Sequence, residues 1–407
     1  MTRPEQRTAL LAVVLMMPFG LAAHPQGQTD PIPPFSVPGA TQPRVAIGPG
    51  GEIHLVFIRG GNVEIATSSN GGRTFGEPAI AIDANGKARG GSQRGPRVGV
   101  DASGTVYVST PICFDEEELK KRYPTPELFL VASTDGGKTF TAPVQINEVS
   151  RKAPEGLHWM AVAPSGEVHL AWLDNRPGVK GTALYFATVK EGGSKVGKNR
   201  LIREELCECC APGLGRSENG TLFLSYREGG EKPSREIFVI GSKNGGKSFG
   251  RPVQVNMAAS RLDGCPMDAP AVAVSRNGKS VAVAWMDART DGRNKDVYWT
   301  IARKGLFDKG APLSDSTEGY QGHPSLAFDG DGVLHAVWED ERDKPSRIYL
   351  RSSSSPDRIV LVSDLPEGAA GFPSVACGEG WIAVAYEVRL GRAVSAVCRI
   401  LPVKGDR

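Results

Sequence analysis

The chain predicts an all-β fold, a β-propeller of six or seven blades, and three observations predict it. The first is a turn that occurs three times, as Ser68-Ser-Asn-Gly-Gly-Arg-Thr-Phe75, Ser133-Thr-Asp-Gly-Gly-Lys-Thr-Phe140 and Ser242-Lys-Asn-Gly-Gly-Lys-Ser-Phe249. In each, Asp or Asn caps a tight turn, glycine supplies positive φ, and Phe opens the next apolar strand. The second is a longer repeat. Seven segments begin with a short apolar strand, usually after Pro, and recur 49 to 62 residues apart (Pro324 to Pro373, and Pro96 to His158). That is the scale of a four-stranded blade. The third is composition: 50 Gly and 30 Pro beside 40% hydrophobic residues suit many short strands and many turns.

Each element of the repeat has its own pattern. The opening strands are Pro43-Arg-Val-Ala-Ile47, Pro96-Arg-Val-Gly-Val100, His158-Trp-Met-Ala-Val162, Pro212-Gly-Leu-Gly-Arg216, Pro270-Ala-Val-Ala-Val274, Pro324-Ser-Leu-Ala-Phe328 and Pro373-Ser-Val-Ala-Cys377. One column is always small (Ala46, Gly99, Ala161, Gly215, Ala273, Ala327, Ala376), and the residue before it is always large and apolar. Strands crowded around a propeller axis need one such small face. The second strands alternate, as in Glu167-Val-His-Leu-Ala-Trp172, and third strands such as Ala183-Leu-Tyr-Phe-Ala187 follow. The last copy lacks an evident fourth strand, which the N-terminal segment is a candidate to supply.

Residues 1–23 read as a signal peptide: Arg3 and Arg7 precede an apolar run, and Gly20-Leu-Ala-Ala23 offers small residues for cleavage. Residues 24–39 are Pro-rich and read as a linker, leaving 40–403 for the propeller. The expected location is secreted or periplasmic, with no membrane span in the mature chain. With 48 basic and 45 acidic residues and no basic patch, nucleic acid is not an expected partner, and no sequence motif calls for a cofactor.

Strand order sorts the loops. Turns between strands one and two share a face with turns between strands three and four, where the repeated octapeptides fall. The opposite face, around the channel mouth, collects the turns between strands two and three and the connections between blades. Three second strands end alike there, as Trp172-Leu-Asp174-Asn-Arg176, Trp285-Met-Asp287-Ala-Arg289 and Trp338-Glu-Asp340-Glu-Arg342. Recurrence at equivalent positions favours a hairpin salt bridge over a site, since a catalytic group usually occurs once. A polar ring of Arg44, Arg97, Asp174, Arg176, Asp287, Arg289, Asp340 and Arg342 remains the candidate glycan-binding surface. His158 and His323 join it at the mouth, whereas His54, His169 and His335 occupy equivalent places in second strands and read as packing residues.

The octapeptide closely resembles the Asp-box, or BNR repeat, of sialidase-like β-propellers. The resemblance implies a six-bladed fold, although seven repeats are counted here. It also implies a glycan or other extracellular polymer as partner, at the mouth and not at the Asp-box face. Sialidases bind a sialic acid carboxylate with three arginines, the first in a Phe/Tyr-Arg-Ile-Pro motif. Here Pro43-Arg44-Val and Pro96-Arg97-Val hold the Arg without that motif. The family's Tyr nucleophile with its Glu has a best match in Tyr320 with Glu318 and a second in Tyr226 with Glu228; Asp287 or Asp340 would serve as acid/base. The alternatives are a non-catalytic protein- or polymer-binding propeller and a thiolate metal binder.

The metal alternative rests on the cysteines. Cys113, Cys207, Cys209, Cys210 and Cys265 map to the mouth face, and Cys377 and Cys398 share the last repeat. Export favours disulfides, with Cys377–Cys398 and a bridge from Cys265 to the Cys207-Glu-Cys209-Cys210 run as candidate pairs. The run is read as Cys-x-Cys-Cys, with no Cys-x-x-Cys pair and no zinc-type spacing. Cys207, Cys209, Cys210 and Cys265 are the weak candidates for a soft metal ion. The run, with Gly-Cys-Pro in the next repeat, also resembles a set of exported bacterial sialidase-like proteins.

Overall fold

The computed structural model describes residues 32–403, apart from residues 89, 92, 122–123, 230–234, 258–261, 263–266, 289–294, 303–304 and 365–366. The expected signal peptide lies outside the described residues, as do Cys265 and Arg289. The strands form seven antiparallel sheets, so the count of repeats, and not the six blades of the resembled family, gives the number of blades. Innermost strands run Ala40–Ile47, Arg97–Val100, His158–Val162, Gly213–Arg216, Ala271–Val274, Gln321–Phe328 and Ala369–Cys377. Each touches the next, and the last touches the first.

Blade 7 is completed by the N-terminus. Phe35–Pro38 pairs antiparallel with Ala393–Pro402, placing Val37 opposite Ala396. The end of the Pro-rich stretch 24–39 is therefore a strand of the propeller. Phe35 stacks on Phe75 of blade 1 at 4.3 Å between ring centroids. Among the described residues, no helix is long and apolar enough to cross a membrane.

The hydrophobic core is divided among the blade interfaces. Tyr107 and Leu130 of blade 2 pack with Leu170 and Trp172 of blade 3, and Ile237 and Val239 of blade 4 pack with Trp285 of blade 5. The ring closes where Leu55 and Phe57 of blade 1 meet Ala385 and Cys398 of blade 7. The small column faces these interfaces. A Cβ on Gly215 would lie 2.9 Å from Val274 Cγ2 and 3.1 Å from the Val272 carbonyl oxygen of the next innermost strand. Gly215→Val is expected to lower stability by about 1–3 kcal/mol, read as a fall in urea midpoint. An unchanged midpoint would mean that the small column is not set by inter-blade crowding.

The octapeptide turns join strands three and four of blades 1, 2 and 4. In blade 2, Gly137 N donates to Ser133 Oγ (2.9 Å), Thr139 N to Asp135 Oδ1 (3.0 Å) and Thr139 Oγ1 to Asp135 Oδ2 (2.6 Å). These bonds hold the Asp135 carboxyl well below its ordinary range, with the threonine hydroxyl the largest cause. The second glycine seats the turn on the neighbouring blade: a Cβ on Gly246 would meet the Phe186 ring at 2.6 Å. Gly245 N also donates to Gly220 O in the turn between strands one and two, which puts both turns on one face, away from the mouth.

Candidate functional site

The mouth is built from innermost-strand starts that do not run straight. Three of these strands carry a bulge, between Thr41 and Arg44, Gly322 and Ser325, and Gly371 and Ser374. At each bulge a non-glycine residue before Pro takes a positive φ: Gln42 (53°), His323 (50°) and Phe372 (55°). Proline disfavours helical φ/ψ in the residue before it, and a non-glycine left-handed residue is costly, so surrounding contacts must hold these positions. Bulges re-aim side chains. Here they place Phe372 4.5 Å from the His323 ring and Tyr320 6.1 Å from it.

His323 is held by two carboxylates. Its Nδ1 lies 2.9 Å from Glu339 Oε2, and its backbone N donates to Asp268 Oδ2 at 2.5 Å. Burial opposes its protonation, but the Glu339 bond and both nearby acids outweigh that, and its pKa is raised. Tyr320 donates its hydroxyl to Asp268 Oδ2 (3.4 Å); burial, then the Asp268 charge, raises its pKa well above the ordinary phenol value. Asp268 is fully buried and its Oδ1 has no partner among the described residues. Burial pushes its pKa up. Two glycines make room: a Cβ on Gly322 would lie 2.6 Å from Asp268 Oδ2, and one on Gly371 2.8 Å from Glu339 Oε2.

Two cations complete the mouth. Arg44 and Arg97 are 8% and 3% exposed. Arg44 donates to the carbonyls of Pro43, Phe372 and Pro373, and Arg97 to those of Gln93, Gly95 and Pro96. Neither is within 4.0 Å of a carboxylate among the described residues. Trp159 shares them, its ring centroid 4.5 Å from the Arg97 guanidinium carbon and 6.0 Å from that of Arg44, which offsets part of their charge. Burial lowers both pKa values, that of Arg44 to about 10, and the charge of Arg44 adds to the effect on Arg97. His158 is buried beneath them, between Ser109 Oγ (3.0 Å) and Gly156 O (2.9 Å), and is driven down to about 3, first by burial and then by Arg97. The cleft between Arg44, Trp159, His323 and Phe372 encloses about 10 Å³, the room of one water molecule.

Two of the Asp-x-Arg pairs form hairpin braces, and the Arg of the third lies outside the described residues. Asp174 accepts from Trp172 Nε1 (3.0 Å) and is held by Arg176 through Nε (3.0 Å) and Nη2 (2.7 Å), with Arg176 over the Tyr185 ring. Asp340 accepts from Trp338 Nε1 (2.9 Å) and Arg342 Nη2 (2.9 Å), with Arg342 over Tyr349. Asp287 accepts from Trp285 Nε1 (3.2 Å). All three carboxylates are fully buried, so Asp287 and Asp340 have no exposed surface from which to serve as acid/base. Glu318 is exposed, its backbone N on Ser316 Oγ, and Tyr320 bonds Asp268 instead of the Glu318 expected from sequence. Tyr226 packs against Phe238, while Glu228 pairs with Arg203. His54, His169 and His335 are packing residues, each with a ring nitrogen on Thr67, Thr188 or Ser352.

The cysteines divide. Cys113, Cys207, Cys210, Cys377 and Cys398 are free thiols, and Cys209 is not among them. The expected Cys377–Cys398 pair is not made. Register sets Cys377 opposite Ile382 and Cys398 opposite Ala385. Those two central-strand positions are an odd number apart, so the sulfurs leave opposite faces of the sheet. The Cys207, Cys209 and Cys210 sulfurs lie within 4.8 Å of one another, packed against Met267, one residue from Asp268.

Asp268, Glu339, Trp159 and Phe372 were not singled out from the sequence. Two carried a readable signal as exceptions within the repeat. Glu339 stands where the other Trp-x-Asp segments have Leu173 and Met286, and Trp159 stands in the column of Arg44 and Arg97.

No family model matches the sequence, and no curated protein matches it. Solved structures do. A PL25 ulvan lyase bound to -[GlcA(1-4)Rha3S]- superposes with a TM-score of 0.59 at 10% identity, covering 90% of this chain and 94% of the lyase. The polysaccharide lyase Uly1 gives 0.54 at 8%, covering 88% and 89%. The α-L-arabinanase of Penicillium chrysogenum complexed with arabinobiose gives 0.51 at 12%, covering 75% and 92%. At these identities the likeness establishes the β-propeller fold that the chain shares with these carbohydrate-active enzymes.

Proposed function

We propose that this is an exported propeller that recognises an acidic glycan, a chain bearing a uronate or sialate carboxylate, at its mouth. The observation that carries the reading is the pair Arg44 and Arg97: two buried guanidiniums sharing Trp159, with no carboxylate of the described residues within 4.0 Å and only the more distant charge of Glu387 acting on Arg44. Two unpaired buried cations favour an anion, and planar guanidinium recognises a carboxylate through paired N–H groups. The aromatic side chains of Trp159 and Phe372 offer apolar faces for a sugar ring. The structurally similar PL25 ulvan lyase is bound to -[GlcA(1-4)Rha3S]-, an acidic glycan, which accords with the reading. Within the same proposal, Cys209 bridges to Cys265 and braces the connections into blades 4 and 5, since Cys209 alone among the described cysteines is not a free thiol.

Glycoside hydrolysis of a sialidase-like kind is the second reading, favoured by the Tyr320–Asp268 bond. Tyr320 would be the nucleophile and Asp268 would take its proton. Titration calorimetry with sialylated and glucuronosylated oligosaccharides and their neutral counterparts tests the first reading. Acidic glycans are expected to bind at least about tenfold tighter, with Arg44→Gln removing the preference while the fold is kept. Equal binding of both sets, or none at millimolar concentration, refutes it. Fluorogenic sialosides and uronides test the second: Tyr320→Phe should abolish turnover and leave binding intact, and the absence of turnover by the unaltered protein rejects hydrolysis.

A further inference from the structure

We propose that Cys207 and Cys210 are a redox-active dithiol that closes reversibly to a disulfide, with Cys207 as the attacking sulfur. The two stand three residues apart in the connection entering blade 4, at the spacing of a Cys-x-x-Cys pair. Their sulfurs are 3.2 Å apart and both are free. Closure to a bond of about 2.05 Å needs a shift of only about an ångström.

The surroundings distinguish the two sulfurs. Arg235 Nη1 donates to Cys207 Sγ at 3.0 Å. Arg227 lies behind, 1% exposed, and donates only to the carbonyls of Arg235 and Met286. It makes no ion pair with a carboxylate among the described residues, and its charge acts on both sulfurs as well as on Asp268 and Glu236. The Cys210 thiol bond, then Arg235 and Arg227, hold the Cys207 thiol down at about 6 against burial, whereas burial pushes Cys210 well up. A low-pKa attacking thiolate beside a protonated partner is the division of labour that dithiol exchange needs. The same two guanidiniums disfavour a cation, and Cys209 is not a free thiol, so a three-thiolate metal centre does not suit the run.

The step balances with a low-molecular-weight disulfide as oxidant. Cys207 thiolate attacks one sulfur of R–S–S–R, forming a mixed disulfide and releasing one thiolate, RS⁻. Cys210 passes its proton to that thiolate and attacks Cys207 Sγ, forming the Cys207–Cys210 bond and releasing the second thiolate, RS⁻. That thiolate takes a proton from solvent. Two electrons leave the protein and two RSH are produced.

The full chain, equilibrated in oxidised and reduced glutathione at a series of ratios, acid-quenched and alkylated, gives a tryptic peptide spanning residues 204–216. The expected result is a reversible conversion of that peptide from a form alkylated at Cys207 and Cys210 to one lighter by those two alkyl groups, with fragmentation placing the link between Cys207 and Cys210. Iodoacetamide should label Cys207 on the order of tenfold faster than Cys210 at pH 6.5. Cys210→Ser should trap glutathione on Cys207. Three results overturn the proposal: no conversion at any ratio, a link from Cys207 to Cys209, or stoichiometric zinc or copper released when the thiols are labelled. All three are read on the unaltered protein, so they stand even where a variant fails to fold.

Discussion

Acidification from pH 7 to pH 5 is expected to remove about 3–5 kcal/mol of stability, long before carboxylates protonate. The cause is a set of histidines buried as neutral rings. Burial holds His54 and His169 at about 4 and His158 at about 3. In the unfolded chain each titrates near 6.5, so below that pH the unfolded state binds up to three protons that the native state refuses. Stability then falls as pH falls, by up to about 4 kcal/mol per pH unit at its steepest. The window runs from about 6.5 to about 4 for His54 and His169, and on to about 3 for His158. His323 has the opposite sign: its raised pKa gives stability that is complete below 6.5 and lost as pH rises through the folded value, which offsets part of the loss. Carboxylates held low, Asp135 and Asp315 among them, add to the fall only below their unfolded values near 4. Urea midpoints at pH 7, 6 and 5 read the effect, and His54→Gln with His169→Gln should flatten most of the slope. A midpoint that does not move between pH 7 and 5 would mean that these rings are protonated in the folded state.

Those histidines also mark how far the sequence could be read. His54, His169 and His335 recur at one place in second strands, and recurrence identified them as packing. The same logic gave the blades and the small column, narrowed the blade number to six or seven and made the N-terminal segment a candidate closing strand, because repeating geometry leaves a period in the chain. The mouth is legible only as departures from that period. Glu339 replaces an apolar residue between Trp338 and Asp340. Trp159 stands in a column that otherwise holds Arg44, Arg97, Gly213, Ala271, Ser325 and Ser374. His323 and Phe372 sit at bulges, where a positive φ before proline follows from contacts between blades and leaves no mark in local propensity. Asp268 reaches Tyr320 and His323 from the preceding blade, across 52 and 55 residues, so a search for Glu beside Tyr in the sequence found Glu318 instead. The Cys207 and Cys210 spacing was visible, but Cys209 between them drew attention to the triplet.

The Trp-x-Asp-x-Arg braces carry the second large effect, and they separate scaffold from site. Trp338 is fully buried between blades 5 and 6, against Ala284 and Val297, and its indole N–H serves the buried Asp340. Trp338→Ala is expected to cost about 3–5 kcal/mol, from the cavity it leaves. Trp338→Phe keeps most of the volume and removes one donor, so its expected cost is about 1–3 kcal/mol. Asp340 would still accept from Arg342 N (2.9 Å), Arg342 Nη2 (2.9 Å) and Ser314 Oγ (3.1 Å). Guanidinium denaturation of both variants reads these costs, and a glycan titration on the folded Trp338→Phe protein reads the function. Because the Asp340 carboxylate has no exposed surface, affinity should be unchanged while stability falls. The reverse pattern, full stability with lost affinity, would return Asp174, Asp287 and Asp340 to the glycan surface and take the role of anion receptor from Arg44 and Arg97. The geometry argues against that reversal for a reason of charge. Arg176 and Arg342 already have carboxylate partners and gain little from another anion, whereas among the described residues Arg44 and Arg97 are bonded to carbonyls and face Trp159, with no carboxylate within 4.0 Å and only the charge of Glu387 reaching Arg44.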